Sequence, residues 1–376
     1  MYIHQNQLEN LEKLLAPQKV VVIYGPRRCG KTTLITKFLE TKKNEKTLFV
    51  TADDLTVQEY LGSQRLETLK SFVGDATLLV IDEAQRIKNI GINLKLMVDA
   101  IPKLKIIATG SSAFDLAKNL GEPLAGRKYT VLLFPLAQME LSPMENAVQT
   151  KNHLEERLLF GSYPEVILMQ GREKKIRYLK EVLNAYLLKD ILELDGIRNS
   201  DKILKLLQLI SFQIGKEVSC TELGSQLGMS KNTVERYLDL LEKSFVIFKL
   251  RALSRNPRKE ISKNHRYYFF DNGVMNALVN NFNPLSLRND VGALWENYIV
   301  MERRKKQEYK NLIVNNYFWR TYNRQEIDWI EEREGALWGY EIKWKKESKS
   351  PSQWNELYPK SHFHSVTSDN YLKFIL

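Results

Sequence analysis

The run Gly25-Pro-Arg-Arg-Cys-Gly-Lys-Thr32 has the spacing G-x-x-x-x-G-K-[ST], a pattern that cradles phosphate. Glycines at its two ends let the loop wrap tightly, so successive backbone N–H groups turn toward an anion. Pro26, Arg27, Arg28 and Cys29 fill the loop between Gly25 and Gly30. Lys31 is placed to reach the β- and γ-phosphates of ATP, and the Thr32 hydroxyl to coordinate Mg²⁺. Thr33 follows at the start of a helical stretch, and the buried-type run VVVIY precedes the loop. Chemistry of this kind needs a carboxylate pair, and Leu78-Leu-Val-Ile-Asp-Glu83 offers one at a strand end. Asp82 then joins the Mg²⁺ shell, and Glu83 polarises the attacking water as general base.

Two further positions bear on the same chemistry. Lys105-Ile-Ile-Ala-Thr-Gly-Ser-Ser112 is an apolar strand ending in small polar residues, where Thr109 or Ser111 could sense the γ-phosphate or merely make a structural turn. Arg127, in LAGRKY, could act as an arginine finger or γ-phosphate sensor, or be a surface arginine.

A second constellation lies near the C-terminus. Glu326 and Asp328 share one face of a strand in QEIDWI, and Glu341 and Lys343 share one face of the next in YEIKW. Carboxylates Asp328 and Glu341 make a hard-cation site, with Lys343 as a partner for a scissile phosphate and Glu296 on the preceding helix as a further ligand. Such a site would cut nucleic acid; the same fold without activity would serve binding or assembly. The basic runs Arg303–Lys306 and Lys343–Lys346, with Trp319, Trp338 and Trp344 nearby, suit a nucleic-acid backbone or are solvated faces and core aromatics.

Between the two constellations, residues 216–241 read as a helix-turn-helix. Leu223 and Leu227 line one helix, Gly228 makes the turn, Ser230 caps the second helix, and Val234, Leu238 and Leu241 face the core. Lys231, Asn232, Thr233 and Arg236 would then face a major groove, unless the module serves packing or nucleotide-state sensing.

The elements that must position these residues follow from pattern. Strands are expected at Val20–Tyr24, Thr47–Val50, Leu78–Ile81, Lys105–Thr109 and Tyr129–Leu133, with helices between most of them. Buried strands alternating with helices predict a parallel α/β sheet. Helical pattern runs from about Leu154 to Lys243, then strands at Phe245–Leu250 and Arg266–Phe270 supply a wing. A helix over Asp290–Glu308 precedes strands at Asn311–Trp319, Glu326–Glu331, Leu337–Trp344 and His362–Val366, with a short helix opened by Pro351 before the last strand.

The chain of 376 residues carries a formal net charge of +11, which leans towards a polyanionic partner such as nucleic acid or an acidic membrane surface; with the helix-turn-helix, DNA is the partner expected. Its 2 cysteines imply no disulfide framework. No signal pattern and no long apolar run is present, so a cytoplasmic protein without a membrane partner is expected. A homo-oligomer is left open.

The linked series GPRRCGKTT, LLVIDEAQ, TGSS, LAGRKYTVLLFPLAQMEL, GSYPEV, ALWENYIV, YFWR, QEIDW and YEIKW resembles prokaryotic AAA-type P-loop ATPases with a C-terminal DUF4143 domain. The resemblance runs nearly end to end. It implies an ATPase core at 1–150, a helical lid and winged helix at 151–285, and at 286–376 a domain similar to PD-(D/E)XK, restriction-endonuclease-like folds. By that pattern Asp328, Glu341 and Lys343 take the nuclease core positions and Glu296 the helix acid. Two functions are carried forward: an ATPase coupled to DNA binding and cleavage, and a nucleotide-dependent switch whose later domains bind proteins. DEAQ also resembles helicase motif II, but the chain shows no second motor domain of that type.

Overall fold

In the computed structural model, which describes residues 2–110, 123–184, 200–254 and 264–376, strands form wherever aliphatic and β-branched side chains cluster. β1 (Val20–Tyr24), β2 (Thr47–Thr51), β3 (Leu78–Asp82), β4 (Lys105–Gly110) and β5 (Lys128–Leu132) make an all-parallel sheet in the order β2-β3-β4-β1-β5. β1 and β3 are buried along their whole length, while the edge strands β2 and β5 expose several residues. That contrast is expected where helices cover both faces of the inner strands.

Alternate residues of the inner strands point to opposite faces and feed two cores. Val20, Val22, Leu79, Ile81 and Ile106 enter one. Val21, Ile23, Leu78, Val80 and Ile107 enter the other, where they meet Leu34, Ile35 and Phe38 of the helix Lys31–Glu40. These three lie at the i, i+1, i+4 positions of one helical face, so the P-loop helix is held by the sheet that presents it. At roughly 1.5–3 kcal/mol for each fully buried aliphatic or aromatic side chain, this face alone gives the loop a rigid base.

The chain divides into two compact units, Met1–Pro135 with Lys243–Phe245, and Leu136–Glu242 with Val246–Leu376. The second unit holds a mixed sheet of β6 (Ile247–Ala252), β7 (Arg266–Phe269), β8 (Asn315–Arg320), β9 (Glu326–Arg333), β10 (Ala336–Ile342) and β11 (His362–Val366). Their order is β11-β10-β9-β8-β6-β7. β6 pairs with β7 antiparallel and with β8 in parallel, through Arg251↔Tyr317 and Ala252↔Phe318. The strands expected as a separate wing are therefore continuous with the C-terminal sheet, so residue 285 does not separate one sheet from another.

The helix Val291–Tyr309 runs along this sheet and is buried on most sides, including its polar residues Asn297, Glu302, Arg303, Lys305 and Gln307. Each of these is paired, as burial requires. Asn297, for example, accepts from Phe269 N at 2.7 Å and donates to Phe269 O at 3.0 Å.

Helices Ser200–Ser211, Cys220–Leu227 and Lys231–Lys243 precede β6. Gly228 ends the second of them with φ 58°, ψ 47°, a left-handed conformation that glycine adopts without side-chain strain. Ser230 Oγ then accepts from Thr233 N at 3.2 Å at the start of the third. Among the described residues no helix is long and apolar enough to cross a membrane.

Candidate functional site

β1 ends at Tyr24 and the chain turns into the phosphate-type loop. Gly25 has φ 155°, and a Cβ there would stand 2.1 Å from Leu133 O, so the neighbouring backbone leaves no room for any side chain. Gly30 closes the loop at φ 100° and starts the helix Lys31–Glu40. Lys31 is buried and its Nζ donates to Gly25 O at 2.8 Å and Pro26 O at 2.9 Å, folding the ammonium over the loop. Cys29 is wholly buried, Arg27 half-buried, and Arg28 and Thr33 exposed. Gln5, distant in sequence, donates to Cys29 O at 3.3 Å and supports the loop from behind.

β3, two strands away across the sheet, delivers its acids to the same edge. Thr32 Oγ1 donates to Asp82 Oδ2 at 2.9 Å. The other Asp82 oxygen accepts from the Thr109 hydroxyl at the end of β4, and Thr109 Oγ1 in turn accepts from Glu83 N at 3.0 Å. Thr109 is fully buried. Glu83 adopts φ 54°, a left-handed conformation uncommon for a residue with a side chain and costing on the order of 1–3 kcal/mol. Its carboxylate accepts from Gln85 Nε2. A hydroxyl and a carboxylate, both hard oxygen donors, thus stand together beside the loop, a donor set that fits Mg²⁺.

The second constellation gathers around an arginine. Arg266, on β7, places Nη1 at 3.1 Å from Asp328 Oδ1 and 3.9 Å from Glu296 Oε1, and Nη2 at 2.7 Å from Glu326 Oε2. Lys343 Nζ lies 3.2 Å from Asp328 Oδ2 and 2.7 Å from Glu341 Oε1. Ile342 N also donates to Asp328 Oδ2 at 3.0 Å. Glu296 accepts from the Tyr268 hydroxyl at 2.8 Å. Burial, together with the neighbouring Asp328 carboxylate, pushes the Glu296 carboxyl up to about 8. The same causes push Glu341 up to about 7, against the pull of Lys343.

Comparison with known proteins bears on both constellations. Residues 17–142 match the family model described as an AAA domain, and residues 291–372 match the domain of unknown function DUF4143. The intervening residues 151–285 match a further domain of unknown function, DUF8612. This chain joins an AAA domain to a C-terminal DUF4143 domain. An uncharacterized protein of Mycobacterium tuberculosis is 27% identical over 341 residues, covering 89% of this chain and 72% of the relative. One from Methanocaldococcus jannaschii is 25% identical over 339 residues, covering 85% of this chain and 74% of the relative. AMPPCP-bound DnaA from Aquifex aeolicus superposes at a TM-score of 0.31, with 20% identity over 63% of this chain and 84% of DnaA.

Within the AAA domain the structure brings Lys31, Thr32, Asp82, Glu83 and Thr109 to one edge of the sheet. Ser111, the alternative to Thr109, lies outside the described residues. Arg127 is a correction. It directly precedes β5, and its carbonyl accepts from Val20 N at 2.9 Å, at the opposite end of β1 from the loop. At about 3.3 Å per strand residue, the β1 strand separates it from Gly25 by more than an arginine side chain spans. Its guanidinium pairs with Asp99 instead, at 2.6 Å. Arg127 is therefore no γ-phosphate sensor for its own loop.

In the DUF4143 domain, β10 ends at Ile342, so Lys343 lies just beyond the strand and reaches Glu341 and Asp328 from the turn. The basic run at 303–306 is largely internal. Arg303 and Lys305 are 4% and 3% exposed and pair with Glu331 and Glu302. Trp319 is a core residue, edge-on to Trp354 at 5.3 Å between centroids. Neither Arg303, Lys305 nor Trp319 offers a face to nucleic acid. Arg266 was not singled out from the sequence, because nothing local distinguishes it from other basic residues.

Proposed function

We propose that this chain is a Mg²⁺-dependent ATPase whose nucleotide cycle is coupled to contact with DNA. The convergence of Lys31, Thr32, Asp82 and Glu83 beyond the C-terminal ends of β1 and β3 carries the reading. In open parallel sheets ligands bind at that edge. The backbone N–H groups of Arg27–Thr33 bind the phosphates, and Lys31 exchanges the Gly25 and Pro26 carbonyls for phosphate oxygens. Thr32 and Asp82 would hold Mg²⁺, which supplies charge neutralisation at the β- and γ-oxygens. Glu83 orients and deprotonates the attacking water, and Thr109 fixes both acids relative to the strand end.

The DNA part rests on the helices Cys220–Leu227 and Lys231–Lys243 with the net charge of +11. We read them as a helix-turn-helix whose second helix leaves Lys231, Asn232 and Arg236 exposed. The test is ATP hydrolysis with and without single-stranded, duplex and branched DNA, with Lys31→Ala as the blank. Stimulation by DNA supports the coupling. Turnover indifferent to every DNA form, with no binding, transfers the later domains to the protein-switch reading.

A further inference from the structure

Asp328, Glu326 and Glu296 already face one cation, Arg266, while Glu341 pairs with Lys343 through Oε1 and leaves its buried Oε2 without a hydrogen-bond partner. Both oxygens of Asp328 are occupied, one by the Arg266 guanidinium at 3.1 Å, the other by Lys343 Nζ at 3.2 Å and Ile342 N at 3.0 Å. Arg266 also holds Glu326 at 2.7 Å and approaches Glu296 to 3.9 Å. It cannot swing aside, because its side chain is 0% exposed and lies 4.7 Å over the Phe318 ring. Nor can it discharge, since a guanidinium stays protonated throughout the working pH range.

A divalent cation at this place would need several of these oxygens at about 2.0–2.6 Å, with carboxylates free to turn toward it. Here it would meet a fixed positive charge sharing its first ligand. The residues present do not fit the metal that a nuclease-like fold implies.

We propose that Arg266 is the permanent counter-ion of this acid cluster, standing in the metal's place, so that the DUF4143 domain takes no divalent cation there and cuts no phosphodiester. The acids are then retained to seat Arg266, joining β7 to β9 and the helix Val291–Tyr309. Loss of an external metal also leaves this part of the fold insensitive to chelators.

The test uses the full chain free of nucleotide, titrated with Mn²⁺ and read by calorimetry and thermal unfolding. The comparison protein is Asp82→Asn, which removes any weak binding at the AAA domain. The expected result is no Mn²⁺ binding beyond what Asp82→Asn abolishes. Stoichiometric Mn²⁺ binding that survives Asp82→Asn and disappears in Glu341→Gln would overturn the proposal. A positive arm uses Arg266→Met, which keeps the stem and removes the charge. A Tm that rises with Mn²⁺ concentration in Arg266→Met, and not in Arg266→Met/Asp328→Asn, supports the stand-in role. A folded Arg266→Met that ignores Mn²⁺ overturns it. Should Arg266→Met not fold, the wild-type and Glu341→Gln titrations decide.

Discussion

Thr32 Oγ1 donates to Asp82 Oδ2 at 2.9 Å, tying the first turn after the phosphate loop to the end of a strand two places away in the sheet. The bond joins the two halves of the proposed nucleotide site before any ligand arrives. Pre-set geometry of this kind lowers the cost of ordering the site when substrate binds.

Removal of the loop cation gives the first expectation. Lys31→Ala should lower ATP turnover by at least roughly 10²-fold, the scale of losing one electrostatic contact to the transferring group. Glu83→Gln should stop hydrolysis and leave ATP binding within a few-fold. Steady-state phosphate release and fluorescent-nucleotide titration separate the two, and full turnover in Glu83→Gln would remove it as the base.

Thr109 is expected to act by positioning. Thr109→Val preserves shape but removes the hydroxyl between Asp82 and Glu83 N, leaving buried polar groups unpaired at roughly 1–3 kcal/mol. We expect kcat to fall with little change in KM, and Thr109→Ser to recover most of it. An equal loss in Thr109→Ser would point to packing of the methyl group.

Arg127 offers a negative control for the monomer. Because its side chain pairs with Asp99 away from the loop, Arg127→Ala should leave nucleotide affinity unchanged. Its stability change should stay within roughly 0–1 kcal/mol, as for other exposed pairs. A turnover loss that grows with protein concentration would instead reveal an arginine supplied to a neighbouring copy.

The pair Arg303–Glu331 predicts a pH dependence. Burial pushes the Glu331 carboxyl up, but the Arg303 guanidinium outweighs it and holds the group below its ordinary value. A depressed carboxyl contributes stability that is full above its unfolded value, near 4.3, and is lost as pH falls through the lower folded value. Raised carboxyls at Glu296 and Glu341 act with the opposite sign at higher pH, so the Glu331 contribution is read below about pH 4.3, where thermal unfolding should show wild type losing more stability than Glu331→Gln. Glu331→Gln should flatten that slope while costing about 3–5 kcal/mol at neutral pH, since Arg303 would stay buried without its counter-charge, holding only the Phe374 carbonyl and what the glutamine amide can accept.

The DNA reading predicts a loss localised to one helix. Lys231→Glu with Arg236→Glu should weaken DNA binding and reduce its salt dependence, while basal ATP hydrolysis is retained. Fluorescence anisotropy over a salt series checks this, and unchanged slopes would exclude that helix as the contact.

Local chemistry made much of this protein legible in its sequence. A glycine-framed loop between an aliphatic strand and a helix is a contiguous pattern, and so is a strand ending in Asp82-Glu83. Both depend on neighbours a few residues away, where backbone geometry alone fixes what can meet. The strand order, the pairing of β6 with β8 and the end of the sheet at which Arg127 sits depend on contacts between distant segments. So does the seating of Arg266, 62 residues from Asp328 in the chain. Only tertiary packing decided that a buried arginine, carried on another strand, would fill the space between carboxylates whose spacing in sequence suggests a metal.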